Sequence, residues 1–376
     1  MKELRLLQVI PALKSGGVEQ GTVDLANYIA KKNIASFVIS NGGRMLMELN
    51  SKNVKHFLLP VDSKNPFVMI RNIKKIKKII LENKINLVHV RSRAPAWSVY
   101  FACKNICNTV STFHNLYGHN NFLKIFYNKG LSKVNKIVAI SNYVKNSISQ
   151  KYNLDKRKIN VIHRGVDLNK FNPKIDDQLK YLKFLSEFKI PNNKKIILFP
   201  ARLTNWKGQL EFLEILQNLS LDNFFCYFVG DDKNNKYRIK LEKEIYKKRL
   251  NLNCKILGHL AHNNMRHMYK TADIIISAPL KPEGFGRIVC EALAMKKIIL
   301  CYNFGGVKEQ ILGLDNLYAV EPYNKKEMID KINKAVNFSS IVKKRMGEIA
   351  RKHIEDKFTN EIMLKKYLKL YNNIIQ

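Results

Sequence analysis

The sequence predicts an α/β protein built as two doubly wound domains in series, and three observations carry that expectation. Short apolar runs of strand length alternate with longer segments of helical period through the first half, the pattern of βαβ units around a parallel sheet. Residues 172–194, "NPKIDDQLKYLKFLSEFKIPNNK", are polar, proline-flanked and weakly periodic, which marks a boundary or connecting segment, and a second alternation starts there. The length of 376 residues exceeds what one hydrophobic core usually serves. The expected division is 1–175 and 176–357, with 358–376 as a terminal helix whose amphipathic spacing fits any terminal helix.

In the first half "LRLLQVIP" reads as strand one. After the loop "ALKSGG", Val18, Thr22, Leu25, Ala26 and Ile29 recur at helical spacing, so a helix begins close to Gly17. "SFVIS", "KHFLLP", "NLVHV", "TVSTFH", "KIVAIS" and "KINVIH" follow as strands. In the second half the strands are "KIILFPA", "FFCYFVG", "CKILG", "DIIISA", "KIILCY" and "NLYAV", and neither half holds a tandem repeat. Ligands of open parallel sheets bind outside the carboxyl ends of the strands, so the expected place for chemistry is a cleft between two such edges.

Composition sets outer limits. No apolar run approaches the ~20 residues of a spanning helix, and the start "MKELRLLQVIPALKSGG" lacks a small-residue cleavage site. The six cysteines have neither metal nor disulfide-framework spacing, which fits a reducing, cytoplasmic setting. Basic residues exceed acidic ones by 66 − 30 = 36, enough to attract nucleic acid, anionic lipid or a phosphorylated substrate. A lysine-rich, asparagine-rich composition with solvated charges is the plainer reading.

Five segments bear candidate chemistry. Gly16 and Gly17 in "PALKSGGVEQG" permit close backbone approach before a helix start, which suits a phosphate or sugar or is a plain tight turn. The spacing is not G-x-G-x-x-G and no acidic residue ends the next strand, which argues against a nicotinamide dinucleotide. In "KKIILFPARLTNWKGQLEFLEIL" Arg202 leaves a strand and Lys207 stands at a helix entrance, a clamp for a diphosphate unless both are ordinary exposed bases. In "KPEGFGRIVCEALAMKK" Glu283 lies on a glycine-bearing loop. Glu291 sits about one turn into an otherwise buried helix, where an unpaired carboxylate is costly and a ribose diol or a lysine would serve as partner. The amides near Phe285, Gly286 and Arg287 add a possible anion site. "NFGGVKEQI" repeats the strand, glycine pair and helix design, and His114 in "STFHNLYG" ends a strand as either a structural or a catalytic histidine.

Taken in order, "GGVEQG", "TFHNLYG", "VAISNYVK", "VIHRGVDLNKFNP", "PARLTNWKGQ", "VGDD", Glu283 to Glu291 and "GGVKEQI" resemble the retaining, nucleotide-sugar-dependent glycosyltransferases of family 4, the group 1 glycosyltransferases of GT-B fold with two Rossmann-like domains. The resemblance spans nearly the whole chain. It implies that Arg202 and Lys207 bind the donor diphosphate, Glu291 the nucleotide ribose and Glu283 hydroxyls of the transferred sugar. It places Gly17 near the donor phosphates and the acceptor, His114 near the reacting sugar, and Phe285, Gly286 and Arg287 along the sugar and phosphate site. It further implies front-side transfer with retention, no obligatory metal or other cofactor, a UDP-, GDP- or ADP-sugar donor, and a glycan or lipid-linked acceptor of surface glycan or lipopolysaccharide assembly. Its terminal helix would return to the first domain.

Departures from the pattern are Lys296 and Ile298, where relatives commonly have glycine and proline, Arg164 for asparagine, and Asp232 for glycine. Asp231 and Asp232 are not a D-x-D metal motif, and the missing fourth ligand weighs against a zinc site at His259, His262 and His267. "FVMIRNIKKIKKIILENK", residues 67–84, is a basic amphipathic helix with Ile70, Ile73, Ile76 and Ile79 or Ile80 on one face, suited to sheet packing or to an anionic membrane surface on the cytoplasmic side. Two rival functions are a GT-B sugar-nucleotide epimerase and a basic RNA-binding protein. The first lacks the combination of Arg202, Lys207 and the paired glutamates. The second would need an aromatic RNP strand, finger or G-x-x-G clamp that the sequence does not show, so no nucleic-acid partner is expected.

Overall fold

A computed structural model of the chain describes residues 3–14, 16–50, 52–118, 121–174, 177–220, 223–232 and 235–376. It divides into two compact units, Met1–His163 with Glu361–Gln376, and Arg164–Asn360.

The first unit is a seven-stranded parallel sheet: β1 (Arg5–Val9), β2 (Ala35–Ser40), β3 (Val54–Leu58), β4 (Leu87–Val90), β5 (Asn108–Phe113), β6 (Lys136–Ala139) and β7 (Ile159–Val161), in the order β3-β2-β1-β4-β5-β6-β7. The strands are buried almost throughout because both faces are covered, even in β5, "NTVSTF", where buried hydroxyls replace part of the apolar run. Helices α1 (Gly17–Lys31), α2 (Pro66–Glu82), α3 (Ala96–Cys103), α4 (Phe122–Lys129) and α5 (Asn142–Tyr152) are the crossovers. Ser141 caps α5 by accepting from the Val144 amide at 3.1 Å, and Asn121 caps α4 in the same way from Lys124 at 2.9 Å. The order reverses between β1 and β4, which makes their carboxyl ends the topological switch point.

The second unit repeats the design with β8 (Lys195–Pro200), β9 (Phe224–Val229), β10 (Cys254–Gly258), β11 (Ile274–Ser277), β12 (Ile298–Tyr302) and β13 (Ala319–Val320), ordered β10-β9-β8-β11-β12-β13 and parallel. Its helices are α6 (Gln178–Glu187), α7 (Gln209–Gln217), α8 (Lys236–Lys247), α9 (His262–Thr271), α10 (Arg287–Ala294), α11 (Val307–Ile311), α12 (Lys325–Val336) and α13 (Ser340–Lys357). The last helix of the chain, α14 (Asn360–Ile375), belongs with the first unit. There Met363, Leu364, Tyr367 and Tyr371 are buried in one cluster with Leu6, Leu87, Val110 and Val138, one residue from each of β1, β4, β5 and β6. Each such side chain contributes about 1.5–3 kcal/mol on burial.

Every segment that the sequence marks as a strand holds one, with two adjustments and one correction. "NLYAV" is mostly a 3₁₀ turn, Asn316–Tyr318, before the two-residue β13. In α2 the inward face is Asn72, Ile76, Ile79 and Ile80, while Ile70, grouped with that face by spacing, is 56% exposed. The correction concerns residues 172–194, which hold α6. Tyr181, Phe184, Leu185 and Phe188 fall at i, i+3, i+4 and i+7, and Phe184 is buried against the His267 ring of α9. Only four apolar residues make that stripe, so the surrounding lysines and asparagines hide it from a periodicity count.

Candidate functional site

The second sheet changes strand order between β8 and β11, and the loops that leave these strands carry three of the charged residues singled out above, Arg202, Lys207 and Glu283. Arg202 stands two residues beyond β8, exposed, and makes no ion pair among the described residues. Beyond it Asn205–Lys207 form a 3₁₀ turn, and Gly208 turns the chain into α7. Gly208 has φ +85°, and a Cβ there would stand 2.1 Å from the Ala278 carbonyl oxygen, so only glycine lets this turn lie against the loop after β11. The Leu280 amide donates to the Trp206 carbonyl at 2.7 Å across the same junction.

That approach brings the ammonium of Lys207 onto the carboxylate of Glu283, and both side chains are nearly buried, 11% and 10% exposed. Lys207 Nζ also lies 4.5 Å from the centre of the Trp206 ring. The Glu283 loop is held from its other side: the Gly306 amide donates to the Glu283 carbonyl at 2.8 Å, and a Cβ at Gly306 would meet the Gly284 carbonyl at 2.2 Å. The glycine pair after β12 therefore exists to let two loops touch.

Glu291 lies on α10, whose start at Gly286 has φ +80°. Its side chain is 13% exposed. Arg287 one turn earlier approaches Oε1 at 3.1 Å, and the Tyr269 hydroxyl donates to Oε2 at 2.9 Å. Burial raises the carboxyl above the ordinary glutamate range, and Arg287 and Tyr269 act against that rise. The partner is thus a tyrosine from α9 together with an arginine of the same helix. Phe285 is buried against the Phe358 ring at 6.0 Å.

Three supporting residues carry no signal that the sequence alone exposes. Gln209, fully buried, donates to the Arg202 carbonyl at 3.0 Å and accepts from the Tyr237 hydroxyl at 3.1 Å, so it fixes the strand end that bears Arg202. Gln310 donates to the Phe285 carbonyl, and the Gln310 carbonyl meets His353 Nε2 at 2.7 Å. Tyr323 donates to the Leu280 carbonyl at 2.9 Å. Each is a polar side chain in an ordinary helix or loop; Gln209 and Gln310 are fully buried, Tyr323 is exposed, and only the partner that each meets reveals the task. Among the described residues no group of three His, Cys, Asp or Glu is placed to hold a metal ion.

In the first unit Gly16, Gly17 and His114 lie on the carboxyl edge of the sheet, after β1 and β5. Gly16, at φ +124°, precedes α1. The loop after β1 is braced by the loop after β2: the Leu13 amide donates to the Gly42 carbonyl at 2.8 Å, and a Cβ at Gly43 would meet Leu13 at 2.4 Å.

Family descriptions cover both units, "Glycosyltransferase Family 4" over residues 15–170 and "Glycosyl transferases group 1" over residues 183–353. The chain belongs to the group 1 glycosyltransferases. Its two Rossmann-like units are those of the GT-B fold. A glycosyltransferase from Rickettsia africae ESF-5 is 36% identical, with all of both chains covered and a TM-score of 0.90. Anabaena Alr3699/HepE, solved in complex with UDP and glucose, is 17% identical, covers 98% of this chain and 100% of its own, and has a TM-score of 0.83, a likeness of fold. The phosphatidylinositol N-acetylglucosaminyltransferase GPI3 subunit of Saccharomyces cerevisiae is 26% identical over 269 residues, 70% of this chain and 58% of that protein. This group 1 glycosyltransferase therefore spans less than two thirds of the yeast relative's length.

Proposed function

We propose that this group 1 glycosyltransferase moves a sugar from a nucleoside diphosphate sugar to an acceptor hydroxyl with retention of configuration, in the assembly of a surface glycan such as lipopolysaccharide. The observation that carries the reading is the arrangement at the switch point of the second sheet: Arg202 meeting no carboxylate among the described residues, Lys207 held by Glu283, and Glu291 held by Arg287 and Tyr269. The UDP and glucose of the Anabaena structure support a nucleotide-sugar donor, and the phosphatidylinositol in the yeast relative's name supports a lipid-borne acceptor.

In this reading Arg202 and Lys207 take the diphosphate, Glu283 takes hydroxyls of the sugar, and Glu291 takes the ribose. Phe285, Gly286 and Arg287 line the sugar and phosphate site. Gly16 and Gly17 lie by the phosphates and acceptor, with His114 by the reacting sugar. The acceptor oxygen bonds to the anomeric carbon on the face from which the diphosphate oxygen leaves, and the acceptor proton passes to that departing oxygen. Positive charge grows on the ring and negative charge on the diphosphate, so cations fixed before the reaction lower its barrier. The chain's own Arg202, Lys207 and Arg287 supply that charge, so the reading invokes no obligatory metal or cofactor.

Thermal unfolding with UDP, GDP, ADP and their sugars tests it, since a ligand at 100 times its dissociation constant adds about 2.7 kcal/mol. One nucleotide is expected to stabilise the wild type and not Arg202→Ala. No shift with any nucleotide would sink the donor assignment, and a new sugar epimer formed without acceptor would favour an epimerase.

The acceptor reading extends to reversible docking on an anionic membrane face. No described helix is long and apolar enough to cross a membrane. The inner face of α2 is occupied in packing, but Phe67 and Ile70 on its first turns are exposed, as are Phe122 and Leu123 at the start of α4, among Lys74, Lys77, Lys78 and Lys124. Lysines near such a surface contribute about 1 kcal/mol each. Co-flotation with phosphatidylglycerol vesicles but not with phosphatidylcholine vesicles is expected, and equal recovery on both would remove the proposal.

A further inference from the structure

The first sheet ends its central strand with "VHVRSRAP", and neither arginine in it has a role in the donor site. The Arg91 amide continues the ladder by donating to the Val9 carbonyl at 2.9 Å, so its side chain falls on the same face as His89, under α1 and α14. There it is 1% exposed. Nε donates to the Thr22 hydroxyl at 3.2 Å, the guanidinium lies 5.5 Å from the centre of the Tyr367 ring, and Nη1 has no hydrogen-bond partner. Two residues on, Arg93 is partly buried, 4.7 Å from the centre of the Tyr117 ring, with Nη1 donating to Asn128 Oδ1 at 3.0 Å. Asn128 is fully buried and donates in turn to the Gly118 carbonyl at 3.1 Å. Among the described residues neither guanidinium meets a carboxylate.

Arginine stays charged at any pH a protein meets, and an unpaired buried charge is costly. Neighbouring groups do not supply a counter-charge. His89 is held neutral by burial and by Arg91, and burial pushes the Tyr117 and Tyr152 hydroxyls up to about 12. Two positive charges therefore stand unneutralised at the topological switch point of this sheet, one of them partly open to solvent.

We propose that the carboxyl edge of the first sheet reads an oxyanion on the acceptor, a phosphate ester or a carboxylate, through Arg93 with Arg91 as a fixed charge behind it. The proposal rests on the transferase reading and names the acceptor as an acidic one. The planar fork of Arg93, set over the Tyr117 ring and pinned by Asn128, is pre-set for two parallel bonds to such a group. Arg91 acts without contact, through its field.

The test uses the full chain saturated with UDP, so that the donor site is filled. The probes are sn-glycerol 1-phosphate and N-acetylneuraminate, with glycerol and N-acetylglucosamine as neutral counterparts, and binding is read from arginine Nε–Hε NMR resonances. Both acids, or one of them, should shift the Arg93 resonance saturably. Binding should weaken at least tenfold in Arg93→Gln and return in part in Arg93→Lys, which keeps the charge without the fork. Which acid binds tells phosphate from carboxylate. Equal binding of neutral and acidic probes, or unchanged binding in Arg93→Gln, overturns the proposal while UDP binding stands. Loss of UDP binding in the wild type instead overturns the transferase reading and with it the acceptor assignment.

Discussion

At the carboxyl edge of the second sheet Lys207 and Arg287 each lie against a glutamate, whereas at the same edge of the first sheet the Arg91 and Arg93 guanidiniums meet, among the described residues, a hydroxyl, a side-chain amide and tyrosine rings but no carboxylate. The two edges share a topology and differ in charge balance. A cation paired with a carboxylate is held in place before any ligand arrives, and the pair can open toward a ligand that offers both charge and hydroxyls. A cation without one retains its full attraction for an incoming anion. The contrast teaches that a parallel sheet's switch point does not fix what binds there, since the loops decide it by what they place beside each charge.

The sharpest way to break the contrast is to remove one member of a pair. Lys207→Met leaves the Glu283 carboxylate buried alone and is expected to cost about 3–5 kcal/mol in urea unfolding. A loss below about 1 kcal/mol would show that the pair is not a structural unit. Arg202→Ala removes a cation that holds nothing in place, so turnover should fall about 10²- to 10³-fold with an unchanged melting temperature. Near-normal turnover would take Arg202 out of the phosphate site.

Lys297 sharpens the contrast from a third position, because its ammonium donates to the Lys270 and Ala272 carbonyls at the end of α9, at 2.7 and 2.9 Å. Burial lowers its pKa to about 8 from 10.5, with Asp273 acting against the shift. Between those values the unfolded chain binds more protons than the folded one, so stability should rise with pH from about 8 to about 10.5, by about 3 kcal/mol in all. Lys297→Met should flatten that rise, and an identical pH profile in the variant would contradict it.

Smaller effects are expected at Glu291 and at Arg91. Glu291→Gln keeps an acceptor for Tyr269 but loses the charge toward Arg287, and UDP affinity should fall about tenfold, or about 1.4 kcal/mol. Because burial raises the Glu291 pKa, its share of stability is present below the ordinary glutamate range and is lost as pH rises through the folded value. The glutamine variant should lack that decline. Arg91→Met removes a buried charge that meets no carboxylate among the described residues, so the protein should gain about 1 kcal/mol, opposite in sign to Lys207→Met. A marked loss would mean that the Thr22 and Tyr367 contacts already balance the charge.

Most of the fold could be read along the chain. The strands show because a strand buried on both faces needs a continuous apolar run, and α1 shows because Val18, Thr22, Leu25, Ala26 and Ile29 keep helical spacing. Lys296 was legible as a helix end, and its φ of +58° fits that reading, since it follows α10 in the left-handed region. In the candidate site Glu283 and Glu291 stood out as carboxylates in places where carboxylates need partners. Who those partners are did not, because Lys207 is 76 residues from Glu283 and Tyr269 is 22 from Glu291. Helix α6 was missed for the opposite reason, too short an apolar stripe among too many polar residues.

The sequence by itself determined the strand and helix alternation, the glycine-marked turns and the residue types at the strand ends, since these follow from local periodicity and from backbone angles that only certain residues accept. The tertiary structure alone decided that α14 covers the first sheet, that Gln209 and Gln310 brace the loops, and that Lys207 and Arg287 at one edge are paired with glutamates while, among the described residues, Arg91 and Arg93 at the other are not. Pairing depends on which side chains meet across the sheet, and neighbouring positions along the chain hold no record of that.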